Sequence, residues 1–135
     1  LYWNGLRTNA NCGLHVHCEI ADFSPSRVGY LLARWHAVEP WLFRAVPWRR
    51  STSQYCQPLR RVRPLDPKKE YSSFDLWEHF KPTYEVYQGQ DYRRVSLNLC
   101  NYYMEMFKKR KLKSTVELRM PEGSLRGLDV KNWIR

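Results

Sequence analysis

The feature that most constrains this chain is the stretch from residue 11 to 20, Asn-Cys-Gly-Leu-His-Val-His-Cys-Glu-Ile, in which side chains alternate without a break. Cys12, Leu14, Val16, Cys18 and Ile20 share one parity; Asn11, Gly13, His15, His17 and Glu19 share the other. Successive side chains of an extended strand point to opposite faces, so the pattern predicts a strand over 12–20 with one face in a core and one polar face. A helix would scatter both sets around its circumference. The stretch therefore demands a sheet, and leaves open what a sheet face with two neighbouring imidazoles is for.

Two further segments obey the same rule. From Arg94 onward, Val95, Leu97 and Leu99 oppose Ser96, Asn98 and Cys100, which predicts a second strand. Ser114 to Pro121 predicts a third, with Val116, Leu118 and Met120 apolar and Thr115, Glu117 and Arg119 polar. Between the first two strands the period changes. Ser24 suits an N-cap and Pro25 a first helical position, and Val28, Leu31, Leu32, Trp35 and Val38 recur at helical spacing. A helix from about Pro25 to Glu39 is expected, broken or kinked at Pro40.

Residues 47–59 fit neither period and read as an ordered loop. Residues 60–91 place Pro64, Pro67 and Pro82 among charged side chains and read as a loop insertion with one short helix around Ser73 to Phe80. Leu128, Val130, Trp133 and Ile134 predict a closing helix. The order strand, helix, long loop, strand, strand, helix favours an α+β fold, an antiparallel sheet with helices packed on one face, in a single domain over residues 1–135.

Composition bounds the rest. The chain has 135 residues, 43% of them hydrophobic, enough for the core of one domain. No apolar run approaches the ~20 residues of a membrane-spanning helix. The first residues, from Leu1, lack the basic start and apolar middle of a signal peptide, and the sequence reads as part of a longer chain. Cys12, Cys18, Cys56 and Cys100 form no C-x-x-C pair. They read as reduced thiols of a cytoplasmic protein, with Cys12 and Cys18 placed in the core by their parity.

The net charge of +10 invites a nucleic-acid reading. However, much of it lies in two runs, Arg60, Arg61, Arg63, Lys68 and Lys69, then Lys108, Lys109, Arg110, Lys111 and Lys113. Both flank proline-rich or turn-like sequence, which favours solvated loops over a small phosphate-rich ligand, and either over DNA or RNA.

If the three strands are neighbours, their polar parities form one surface bearing His15, His17, Glu19, Ser96, Asn98, Glu117 and Arg119. Imidazoles opposite a carboxylate and a guanidinium suit the binding of metals and anions. An unrelated metalloenzyme using the His-x-His pair, or a basic nucleic-acid-binding module, remain the alternatives.

Taken together and in order, CGLHVHCEI, RRSTSQYCQPL, YRRVSLNL, STVELRMPEGSL and VKNWI resemble the amidoligase family, a branch of the carboxylate-amine ligase superfamily that includes glutamine synthetase. The resemblance implies a glutamine synthetase-like catalytic fold and an ATP-dependent enzyme with Mg²⁺ or Mn²⁺. Its substrates would be a small-molecule or peptide carboxylate and an amine, joined as an amide through an acyl phosphate. By the same resemblance His15, His17 and Glu117 are expected as metal ligands, and Glu117 and Arg119 as catalytic groups. Arg119 and Asn98 are expected to contact substrate, and Arg49, Arg50 and Tyr55 the nucleotide. The family's opening strand with a Gly-x-Glu-x-Glu motif does not occur in the sequence, which agrees with an N-terminal truncation.

Overall fold

A computed structural model describes residues 7–9, 11–59, 63–86, 94–103 and 114–134. The elements are β1 (Val16–Glu19), α1 (Pro25–Ala45), α2 (Trp48–Ser51), α3 (Ser73–Val86), β2 (Leu97–Asn98), β3 (Thr115–Leu118) and α4 (Gly127–Ile134). The three strands form an antiparallel sheet in the order β1-β3-β2, so the molecule is α+β. The basic residues 108–113 and Arg60 and Arg61 lie outside the described residues. Among the described residues no helix is long and apolar enough to cross a membrane.

α1 starts where the sequence predicts. The Ser24 hydroxyl accepts from the Arg27 amide at 3.3 Å, and Pro25 occupies the first helical position, where a missing N–H costs nothing. The expected break at Pro40 does not occur, because the helix runs on to Ala45. Pro40 is exposed. It frees the His36 carbonyl, while Leu42 and Phe43 beyond it still pack on the core. Tertiary packing on both sides of the proline outweighs the one lost bond. α3 likewise extends past the expected Phe80. Its start is a reciprocal cap, with the Ser72 hydroxyl accepting from the Asp75 amide at 3.1 Å and the Asp75 carboxylate accepting from the Ser72 amide at 2.8 Å.

Val28, Leu32 and Trp35 of α1 meet Leu97, Val116 and Met120 of the sheet region in one core that also takes in Ile20, Cys56, Leu59 and Leu76. β1 is one of the two edge strands, and this core reaches its apolar parity fully only at Ile20. Cys18 is consequently exposed and Cys12 half-buried, contrary to the parity argument; the buried thiols are Cys56 and Cys100. α4 forms as expected, yet none of its residues is buried.

The second strand is shorter than its alternation suggests. The backbone at Arg94 to Ser96 pairs instead with the loop, the Gln57 amide donating to the Arg94 carbonyl at 2.6 Å and the Ser96 amide to the Gln57 carbonyl at 2.8 Å. Ser96 therefore does not join the polar sheet face. It is buried against α1, where its hydroxyl donates to Glu39 and accepts from the Trp35 indole at 2.9 Å. Glu39 also accepts from the Leu59 amide at 2.8 Å and the Trp35 indole at 3.3 Å. One buried carboxylate thus ties α1 to the loop before residue 60 and to the start of β2. The fold also depends on Gly29 in mid-α1, where a Cβ would sit 2.6 Å from the Tyr71 ring. Tyr71 is docked there by its amide, which donates to the Ser26 hydroxyl at 2.9 Å.

Glu39→Leu strands two buried donors, the Leu59 amide and the Ser96 hydroxyl, each costing about 1–3 kcal/mol; the unfolding free energy should fall by about 2–6 kcal/mol, read as a lower urea midpoint at an unchanged slope. Gly29→Ala would gain about 1 kcal/mol at an open helical site but here should cost about 1–3 kcal/mol. In a Tyr71→Ala background that cost should vanish, and a double-mutant denaturation cycle measures the difference.

Candidate active site

The antiparallel register sets His17 of β1, Glu117 of β3 and Asn98 of β2 in one row across the sheet. Their side chains share a face, and His15, two residues back along β1, points the same way. The predicted convergence is therefore real at the level of geometry. His15 Nδ1 lies 2.7 Å and His17 Nε2 3.8 Å from Glu117 Oε1. Arg119 Nη1 donates to the same carboxylate at 3.1 Å and 3.3 Å, and Asn98 Nδ2 donates to Oε2 at 2.6 Å.

Glu117 is only 6% exposed, in the central strand. A carboxylate this buried persists only if its oxygens are satisfied, and the row supplies donors for both. A carboxylate can only accept, so His15 Nδ1 carries the hydrogen and Nε2 keeps its lone pair. Burial lowers the His15 pKa below its ordinary 6.5, Arg119 lowers it further, and Glu117 pulls it back up. At neutral pH His15 is thus a neutral imidazole with an available lone pair, suited to accept a proton or hold a cation.

Arg119 is held in one plane by Glu117 and by the Tyr55 carbonyl, to which its Nε donates at 3.4 Å. Tyr55, expected beside a nucleotide, contributes that carbonyl, while its ring is covered by the Arg94 guanidinium at 5.1 Å. Asn98, expected to line a substrate pocket, has both ends of its amide engaged within the protein, since Oδ1 accepts from the Cys100 amide at 2.8 Å. Glu19 lies in register opposite Thr115 and remains exposed, two residues along β1 from His17.

The two arginines of the 47–59 loop, where the short helix α2 forms, are both engaged within the protein. Arg49 is tied bidentately to Glu122, with Nη2 donating at 2.7 Å, a pairing that pulls the Glu122 pKa down. Arg50 is 1% exposed and donates to the main-chain carbonyls of Arg119 at 2.6 Å and Met120 at 3.2 Å. It braces the end of β3, its Nη2 lying close to His15, since a Cβ on Gly13 would sit 3.2 Å from both Arg50 Nη2 and His15 Nε2, and its Nη1 is buried with no hydrogen-bond partner among the described residues. Cys56 is next to it, but burial pushes that thiol up to about 11, so it is no nucleophile at neutral pH.

Alternation along β3 could not reveal Glu122. Val16 pairs with Leu118, but Gly13 pairs with Glu122, so three residue steps on one strand oppose four on the other. This β-bulge flips the parity and returns Glu122 to the side of Gly13. Gly123 then approaches the chain so closely that a Cβ would lie 2.7 Å from Cys12 Cβ. The only sequence hint was the Pro-Glu-Gly turn signal.

Two imidazole nitrogens and a carboxylate oxygen are a suitable donor set for a divalent cation. As the side chains stand they make a hydrogen-bonded cluster rather than a coordination shell. Among the described residues no three His, Cys, Asp or Glu are arranged to hold an ion. His15, His17 and Glu117 are thus a partial set at most.

The family profile described as "Putative amidoligase enzyme" matches residues 2–135, and the chain belongs to that family. No curated protein and no solved structure matches it.

The balance of charges at His15 can be measured by NMR. Its titration should fall below pH 6.5. Arg119→Gln should raise the midpoint by removing a repelling cation, and Glu117→Gln should lower it by removing the attracting anion.

Proposed function

We propose that the domain is an ATP-dependent carboxylate-amine ligase built on a glutamine synthetase-like catalytic fold. The observation that carries this reading is the row of His17, Glu117 and Asn98 with Arg119 and His15 beside it, in a chain of the amidoligase family. In such a reaction the substrate carboxylate attacks the terminal phosphorus of ATP, giving an acyl phosphate and ADP. The amine then attacks the acyl carbon, and inorganic phosphate leaves as the amide forms.

Both steps move negative charge between oxygens, and their catalysis is chiefly positioning and charge stabilisation. Arg119 suits the transferring phosphoryl group or the substrate carboxylate, because its guanidinium is fixed in a plane and 15% of its side chain is open to solvent. Arg50 adds a second, buried positive charge at the end of the same strand. A divalent cation, held by His15, His17 and Glu117, would supply neutralisation of phosphate oxygens when bound. Its binding is measurable apart from turnover, as Mn²⁺ heat in calorimetry that disappears in Glu117→Ala.

Hydroxylamine intercepts an acyl phosphate. The protein with ATP, Mg²⁺, hydroxylamine and a panel of amino-acid and peptide carboxylates should give hydroxamate with ADP and phosphate as co-products. Arg119→Ala should lower the rate by about 10² or more. Release of AMP and pyrophosphate, or no nucleotide-dependent hydroxamate with any carboxylate, would overturn the proposal.

A further inference from the structure

α1 has a second face that the candidate site does not use. Its core side carries Val28, Leu32, Trp35 and Glu39. Its outer side is exposed at Arg27, Tyr30, Arg34, Val38, Trp41 and Arg44. At 3.6 residues per turn, Tyr30 and Trp41 fall within about 20° of each other, with Arg34 about 40° to one side of Tyr30 and Arg44 about 40° to the other. The stripe runs about 21 Å from Tyr30 to Arg44.

The side chains on it are already organised. The Arg34 guanidinium lies 4.9 Å from the Tyr30 ring centre, and its Nε donates to the Tyr30 hydroxyl at 2.8 Å. The Arg44 guanidinium lies 4.6 Å from the Trp41 ring centre. Yet Trp41 remains 66% exposed and Tyr30 47%. Stacking fixes each guanidinium plane and removes much of the entropy that a free arginine loses on binding, while its Nη edge stays available. The helix contains a single carboxylate, Glu39, and that one is buried against Ser96 and Leu59. The outer face therefore carries three guanidinium charges and no anion of its own.

We propose that this face docks an acidic segment of a partner protein, with Arg34 and Arg44 gripping carboxylates on either side of Trp41. Arginine, tryptophan and tyrosine without lysine, glutamate or aspartate is the composition of an interface centre. The charge selects the partner: a second copy of the same face would set arginine against arginine. A lipid surface fits less well, because the apolar side chains of the stripe besides Trp41 and Tyr30 are only Ala37, Val38 and Ala45. Leu42 and Phe43, which could enter acyl chains, pack on the core instead. A nucleic acid would stack bases on ring faces, and a guanidinium already covers one face of each ring. The inference does not rest on the ligase reading, since the stripe shares no residue with the site.

The test is fluorescence anisotropy at roughly 50 mM salt with a labelled peptide of repeating Glu-Glu-Leu-Glu, about 16 residues long so that as a helix it spans the stripe. A single-stranded oligonucleotide and phosphatidylserine vesicles are run beside it. Peptide binding should weaken at least about tenfold in Trp41→Ala and in Arg34→Glu/Arg44→Glu. Arg34→Gln/Arg44→Gln, which adds no repulsion, should weaken it less but in the same direction. Circular dichroism reports that each variant keeps its helices. No peptide binding, or binding indifferent to these substitutions, overturns the proposal. So does tighter binding of the oligonucleotide or the vesicles through the same residues.

Discussion

The structure turns on one buried carboxylate in the middle of a small sheet. Glu117 is central in β3, and burying its charge would cost several kcal/mol if its oxygens met no donors. Asn98 from one neighbouring strand, His15 from the other, and Arg119 from its own strand supply them. The same requirement fixes register. A one-residue slip of β1 or β2 against β3 would carry His17 or Asn98 to the opposite face and leave the carboxylate without those partners. The candidate site and the register are thus held by a single set of hydrogen bonds.

β3 is in turn braced at its end. Arg50 is a buried cation that spends its donors on main-chain carbonyls at the point where the strand bulges. The bulge leaves those carbonyls outside the regular ladder, and a long planar donor from α2 can reach both at once. Its neighbour Arg49 closes the same corner from outside by gripping Glu122. Adjacent residues of one short helix therefore both hold the bulge. As a surface pair open to solvent screening, Arg49 and Glu122 contribute little to stability. The buried Arg50 sets the shape.

Much of this was legible in the sequence, and what was not has identifiable causes. Period-two alternation placed His15, His17, Asn98, Glu117 and Arg119 on one face, because alternation is a property of the backbone and survives packing. It failed at Ser96 and Glu122, where loop pairing and a bulge each shift the parity by one. It failed differently at Cys18, whose parity was right but whose strand lies at the edge of the sheet, beyond the core. Pro40 misled because a local rule met a helix packed on both sides of it. Glu39 could have been found: it continues the Val28, Leu32, Trp35 stripe by one more helical step, and a carboxylate at an apolar position signals a buried network. Arg49 and Arg50 are adjacent and identical in type, so nothing local says which one is buried.

α1 shows how charge and polarity divide the molecule. One helix places its only carboxylate inward, where Ser96, Trp35 and Leu59 satisfy it, and all three of its arginines outward. The inward choice tightens the core behind the sheet and so stabilises the platform that Glu117 needs. The outward choice leaves a cationic, aromatic ridge whose arginines find ring faces rather than carboxylates as partners. A solvated helix face gains more from interspersed opposite charges four residues apart than from like charges, which repel. Three guanidinium groups without an anion cost the isolated helix a little stability, and a ridge that tolerates this cost is better matched to an acidic surface than to water.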